Sequence, residues 1–286
     1  GQPETCVMAH PAIAELQAFM AGQAGVRAAL PELFARLHAL QATPDVPAAA
    51  FRFPGPLIRE VVHFLDGIGL APGAIHRYCA ISATVAARPG YFPPGVPVTV
   101  IHPPTRLTGL GDTSGDYLFT ASRLDAPKRI DLLIEAVRQA PAALPFKIAG
   151  TGPDTERLRA LAAADSRIEL LGFVTDRELA QLYARALAVL FVPQDEDYGL
   201  ITVEAMQSGK PVITTTDAGG PTELIRDGVN GLIAPPEPAA LARCIETLCR
   251  DPALARQLGA AARHDAATIT WATTISRLLD EPSGNG

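Results

Sequence analysis

Lysine is scarce in this chain, with Lys128, Lys147 and Lys210 the only three among 286 residues. The other cations are arginines, and the 24 Lys and Arg fall short of the 30 Asp and Glu, leaving a formal net charge of -6. Phosphate backbones are bound through clustered excess base, so this balance argues against a nucleic-acid partner, and acidic membranes are no evident target either. Cysteine is sparse too. Cys6, Cys79, Cys244 and Cys249 form no CxxC pair and lack metal-ligand spacing with histidine, which fits free thiols in a reducing cytoplasm. The histidines His10, His38, His63, His76, His102 and His264 share no triad or ligand spacing and read as surface or packing residues. No apolar run approaches the roughly 20 residues of a transmembrane helix, and no charged-then-apolar signal segment opens the chain.

What is present is ordinary globular material, 48% hydrophobic and 19% charged, in a length that suits two modest domains. Ile13, Leu16, Phe19, Leu33, Phe34, Leu37 and Leu40 predict short amphipathic helices punctuated by Pro11 and Pro31, followed by a proline- and alanine-rich connection and a helix through Leu57, Val61, Val62, Phe64 and Leu65. Short strands are expected at Tyr78–Ser82 and Val98–Ile101. From Gly115 the pattern becomes a regular alternation: strands at 117–121, 146–149, 168–171, 188–192, 212–215 and 232–233, each followed by a helical stretch. Strands alternating with helices mean a parallel, doubly wound α/β sheet with right-handed crossovers. The polar, Gly- and Thr-rich segment 106–115 is the expected boundary, giving a first domain over 1–110 and a second over 111–286.

Open α/β sheets bind ligands outside the carboxyl ends of their strands, beside helix N-termini that favour anions. Four such junctions carry candidate residues. After the first strand of the second domain come Arg123 and Lys128, a forked donor and a point charge suited to a diphosphate, although Arg123 also has Asp125 within reach as a partner. After the second lies Gly150-Thr151-Gly152-Pro153, whose glycines permit close backbone approach, with Pro153 expected at the first helical position. Thr155 stands where a dinucleotide fingerprint needs its third glycine, so a nicotinamide-cofactor reading loses ground. The third ends in Gly172-Phe173-Val174-Thr175-Asp176, with Thr175 or Asp176 as helix cap. The fourth runs from an apolar strand into Glu196-Asp197-Tyr198-Gly199-Leu200-Ile201-Thr202-Val203-Glu204, two glutamates eight positions apart across a glycine turn. Glu204 sits in an otherwise apolar stretch, where an unpaired charge is costly.

That glutamate spacing, with the sequel Glu204-Ala205-Met206-Gln207-Ser208-Gly209-Lys210-Pro211-Val212 and with Gly219-Gly220-Pro221-Thr222-Glu223, resembles the donor-binding signature of family 4 glycosyltransferases of the GT-B fold. Glu-Asp-aromatic-Gly and the upstream Val100-Ile101-His102-Pro103-Pro104 are similar to a mannosyltransferase-like branch. The resemblance implies a retaining transferase that moves a hexose from a nucleoside diphosphate sugar to the hydroxyl of a glycan or lipid-linked acceptor, in polysaccharide biosynthesis. It assigns Arg123 and Lys128 to the departing diphosphate, Glu196 to the donor sugar, Glu204 to the ribose, and the backbone of Gly199 and Leu200 to phosphate. Tyr198 belongs to the same donor segment, Gly150 and Gly152 line the cleft, and the backbone near Val174 reads the base.

No cofactor and no metal are expected. Asp195-Glu196-Asp197 does spell the Asp-x-Asp with which transferases of another fold hold a divalent cation, but it lies inside the glutamate signature and two cationic side chains already offer neutralisation. Such an enzyme would work in the cytoplasm or at the inner face of the membrane. A GT-B N-terminal domain begins with its own glycine-rich strand-loop-helix, so the first domain is expected to be incomplete, its reacting-sugar histidine missing, and the chain alone to bind donor while transferring poorly. The C-terminal stretch 268–279, with Trp271, is expected to pack back on the helical fragment that follows Gly1. Competing readings are a sugar-nucleotide epimerase on the same fold, a pyridoxal-dependent phosphorylase, for which no lysine has a suitable setting, and a binding module without activity.

Overall fold

The computed structural model describes residues 8, 10–53, 55–70, 74–75, 77–113 and 115–279. Two compact units divide the chain, Gly1–Arg77 and Tyr78–Gly286. Cys6 and His76 lie outside the described residues.

Among the described residues, three α-helices build the first unit: α1 (Pro11–Gly22), α2 (Leu30–Gln41) and α3 (Pro56–Gly69). Each carries proline within its first two positions, where the missing N–H costs no helical bond. Ile13, Leu16 and Met20 of α1 meet Leu33 and Leu40 of α2 and Leu57, Val61 and Phe64 of α3 in one apolar cluster.

The second unit opens with β1 (Tyr78–Ala80), α4 (Ala83–Ala86) and β2 (Val98–Val100), the two strands pairing in parallel. A six-stranded parallel sheet follows, made of β3 (Tyr117–Ala121), β4 (Phe146–Ala149), β5 (Ile168–Gly172), β6 (Ala186–Leu190), β7 (Val212–Thr215) and β8 (Gly231–Ala234), in the order β5-β4-β3-β6-β7-β8. Connections run through α5 (Ile130–Gln139), α6 (Thr155–Ala162), α7 (Asp176–Arg185), α8 (Leu200–Gln207) and α9 (Pro221–Leu224), and α10 (Pro238–Arg250), α11 (Pro252–Ala266) and α12 (Trp271–Leu279) complete the unit. Side-chain alternation feeds a core on each face: Leu118 of β3 joins Leu133, Ile134 and Ile245, while Phe119 joins Tyr183, Val203 and Met206. β6 begins two residues earlier than its apolar run suggests, because α7 ends at Arg185 with no loop and Ala186 pairs at once with Tyr117.

By packing, residues 78–110 go with the second unit rather than the first. Hydrogen bonds explain it: Ser82, Arg88, Pro103 and Thr105 all bond to residues between 195 and 204. Helix α12 also returns to this segment. Thr274 Oγ1 donates to His102 O at 3.3 Å and Arg277 to Val100 O at 2.9 Å, while Trp271 stays half-exposed.

Strand order reverses between β3 and β6, since β4 and β5 leave to one side and β7 and β8 to the other. Loops leaving the carboxyl ends of β3 and β6 therefore diverge and open a crevice.

Candidate functional site

One wall of the crevice is the loop after β3. Gly150 and Gly152, on the neighbouring loop after β4, press against it. A Cβ on Gly150 would stand 1.8 Å from Ser122 O, and one on Gly152 2.1 Å from Leu124 O. Both distances are with backbone, so only glycine fits, and the close approach these glycines allow is first to the chain itself. Leu124 N to Thr151 O and Asp154 N to Leu124 O, both 3.0 Å, fasten the two loops. Pro153 precedes the cap Asp154 rather than starting α6, and the Thr155 hydroxyl donates back to Gly152 O at 2.7 Å. On the third loop, Thr175 is the helix cap and forms a reciprocal capping box with Glu178.

Arg123 points outward from the β3 loop, 71% exposed, its Nε 3.2 Å from Asp125 Oδ2. Lys128 instead turns inward and makes a short ion pair with Glu196, with its ammonium 5.9 Å from the centre of the Phe191 ring. The structure thus brings together two of the three expected catalytic residues and leaves Arg123 beside them on the surface. Arg129, next along, takes the left-handed conformation (φ 50°) uncommon for a long side chain. Five hydrogen bonds hold it: Nε to Val192 O at 2.7 Å, Nη2 to Pro193 O at 2.7 Å and Thr215 Oγ1 at 2.8 Å, and both Nη to Asp217 at 2.8 Å. The guanidinium keeps the Asp217 carboxyl below the usual range against the opposing effect of burial.

The opposite wall is the loop after β6. Glu196 donates its N–H to Ala218 O at 2.9 Å and accepts from Gly220 N at 2.8 Å, so the glutamate is fixed against the Gly219-Gly220 turn. Asp195, just before it, is left-handed (φ 50°), and Arg88 forks onto Asp195 and Asp197. The Asp195-Glu196-Asp197 triplet is therefore divided between two cations of the chain itself. Tyr198 is buried, donates to Pro103 O at 2.9 Å and stacks on His102 at 5.5 Å between ring centres; burial pushes its hydroxyl pKa up. Gly199 (φ 78°) is the N-cap of α8, and a Cβ there would meet Phe191 at 2.7 Å. No side chain caps α8, and Leu200 in its first turn is exposed, so the first amides of the helix have no side-chain cap.

Glu204, on the second turn of α8, accepts from the Thr105 hydroxyl at 2.7 Å on one oxygen and from the Tyr183 hydroxyl at 2.9 Å on the other. Burial raises its pKa, and the two hydrogen bonds only partly offset that. Each oxygen keeps a second lone pair for a further donor. Glu223 accepts from the N–H groups of Ala83 and Thr84 and from the Thr84 hydroxyl, all at 2.7 Å. Burial works to raise its carboxyl, but these bonds carry it below the usual range. His102 Nε2 lies 3.5 Å away, at the limit of contact. Val174 lines a cavity of ≈ 660 Å³ with Tyr117, Lys147, Phe173, Glu178 and Leu182, and Phe173 is 80% exposed at its edge.

Arg88, Thr105, Arg129, Tyr183 and Asp217 escaped the sequence reading, and Glu223 entered it only as the end of the Gly219-Gly220-Pro221-Thr222-Glu223 motif, without a role. Their partners lie far along the chain, 107 residues away for Arg88 and Asp195, so no local motif signals them. Only the acid pair flanking Glu196 could have suggested a missing cation.

Residues 111–265 match the family model described as Glycosyl transferases group 1. The chain belongs to this family. Relatives of this chain include a D-inositol 3-phosphate glycosyltransferase of Streptomyces bingchenggensis, 39% identical over 130 residues (44% of this chain, 28% of that protein). An exopolysaccharide phosphotransferase of Streptomyces coelicolor is 32% identical over 206 residues (69% of this chain, 20% of that protein). The chain thus spans less than a third of either relative. Among solved structures, Anabaena HepE in complex with UDP and glucose superposes with a TM-score of 0.63 at 24% identity, over 78% of this chain and 65% of that one. The architecture is that of the GT-B glycosyltransferases. No described helix is long and apolar enough to cross a membrane.

Proposed function

We propose that this chain forms the donor side of a retaining family 4 hexosyltransferase, similar to the mannosyltransferase-like branch, which moves a hexose from a nucleoside diphosphate sugar to the hydroxyl of a glycan or lipid-linked acceptor in polysaccharide biosynthesis. The observation that carries it is the Lys128–Glu196 ion pair at the strand-order reversal, with Glu204 one helical turn and more beyond. A bound donor would separate that pair: Lys128 turns to the diphosphate, and Glu196 accepts from sugar hydroxyls. Arg123, exposed and held only by Asp125, swings to the same diphosphate. Leu200 and its neighbours at the uncapped start of α8 offer amides to phosphate. Glu204 takes the ribose hydroxyls, and the backbone at Val174 meets the base.

As the bond from the sugar's anomeric carbon to the phosphate oxygen breaks, negative charge grows on the diphosphate. Cations placed beforehand stabilise that charge more than the ground state. Arg123 and Lys128 fill this role without a metal, and Asp195 and Asp197 are already engaged by Arg88. Transfer should therefore persist in a chelator.

Calorimetry on two variants tests the assignment. Glu204→Ala is expected to weaken every ribonucleotide, whereas Glu196→Ala weakens the sugar nucleotide and spares the bare diphosphate. A lost charged hydrogen bond corresponds to about 1.5–3 kcal/mol. Equal losses for both ligands in Glu196→Ala would return that residue to a structural role.

A further inference from the structure

Arg88 lies two residues beyond α4, yet it makes four contacts with the loop that carries Glu196. Its Nε donates to Asp197 Oδ1 at 2.7 Å, Nη1 to Asp195 Oδ2 at 3.0 Å and Nη2 to Asp195 O at 3.0 Å, and Nη2 also stands 2.6 Å from Asp197 Oδ1. Asp195 and Asp197 flank Glu196, so Arg88 fixes the loop on either side of it. Arg88 draws both flanking carboxylates to itself while Glu196 meets Lys128. Asp195 itself is left-handed, a conformation that aspartate tolerates better than most residues.

Arg88 is itself held in place. The Ser82 hydroxyl caps α4 by accepting from Val85 N at 2.9 Å and donates to Asp197 O, and Glu223 accepts from the first N–H groups of the same helix. Both aspartates are at least half-exposed. Ion pairs in such settings add little to stability, so a four-contact fork there is better explained by geometry.

We infer that Arg88 is a positioning residue for the donor sugar: it acts through Asp195 and Asp197 to aim Glu196, and sets affinity for the sugar part of the donor rather than for the nucleotide. This rests on the role proposed above for Glu196.

The test measures binding of GDP-mannose against GDP, and of UDP-glucose against UDP, by calorimetry on the whole chain and on Arg88→Ala, Arg88→Lys, Glu196→Ala and the double variant Arg88→Ala/Glu196→Ala. Arg88→Ala is expected to weaken the sugar nucleotide about tenfold or more and the bare diphosphate less than about twofold, with an unchanged melting temperature. Arg88→Lys keeps the charge and loses the fork, so it should recover only part of the affinity. In the double variant the loss should equal that of Glu196→Ala alone, because the arginine then has nothing to aim. Additive losses, or equal weakening of both ligands by Arg88→Ala, would overturn the inference while leaving the sugar role of Glu196 standing. If Glu196→Ala itself fails to distinguish sugar nucleotide from diphosphate, the role of Glu196 falls and this inference with it.

Discussion

Glu204 shows what a buried carboxylate costs the fold that holds it. Burial raises its pKa above the value an unfolded chain would give, so the native state holds the proton more tightly. Between the unfolded and folded pKa values the folded form binds more protons, and stability therefore falls as pH rises through that window. At neutral pH the ionised group is a burden that the Thr105 and Tyr183 hydroxyls lighten without removing. Glu204→Gln should thus melt higher than the parent at pH 7, lose that advantage in acid below the unfolded carboxylate range of about 4.3, and bind ribonucleotides poorly. Thermal melts at pH 7 and pH 4, with one binding isotherm, check all three. A lower melting temperature at pH 7 would mean that the two hydroxyl bonds outweigh burial. The sequence made Glu204 conspicuous by its apolar neighbours, but the hydroxyls that receive its charge were hidden, Thr105 being 99 residues away and Tyr183 21.

At the scale of elements, apolar runs located every strand of the large sheet to within two residues, because buried parallel strands read as short continuous hydrophobic stretches. Ends were less legible. Whether a helix hands over to a strand through a loop, as at most junctions, or directly, as from α7 to β6, depends on pairing with a distant strand. Close contacts between backbones were invisible altogether. Gly259 in the middle of α11 looks like a weak helix position, and replacing it by alanine would ordinarily gain roughly 1 kcal/mol. In the fold its Cβ would stand 2.0 Å from Gly209 O, just beyond α8, and neither backbone can yield cheaply. Overpacking of about 1–3 kcal/mol or more then dominates, so Gly259→Ala is expected to destabilise, as a denaturant titration of both proteins would show. A gain in stability would mean that α11 slides freely on that loop.

Over the whole molecule, the site residues all fall in the unit from Tyr78 onward, while the helical unit of α1 to α3 holds its own apolar cluster. Ligand binding should therefore be felt as stabilisation of the second unit. A nucleoside diphosphate at about 100 times its dissociation constant should add about 2.7 kcal/mol, several degrees of midpoint for a unit of this size. Trp271, the one tryptophan, belongs to that unit and reports its melting. The corresponding monophosphate should shift the midpoint less, and equal shifts would remove Arg123 and Lys128 from the phosphate site. The back-to-back glycine contacts carry a different consequence, for evolution and engineering. Because Gly150 and Gly152 have no room beyond the carbonyls of Ser122 and Leu124, the loops after β3 and β4 are cast against each other and form a single heritable block. The diphosphate-facing wall would then be transplanted between homologues only by exchanging 122–129 together with 150–154, and chimeras that swap either loop alone should accumulate as insoluble protein.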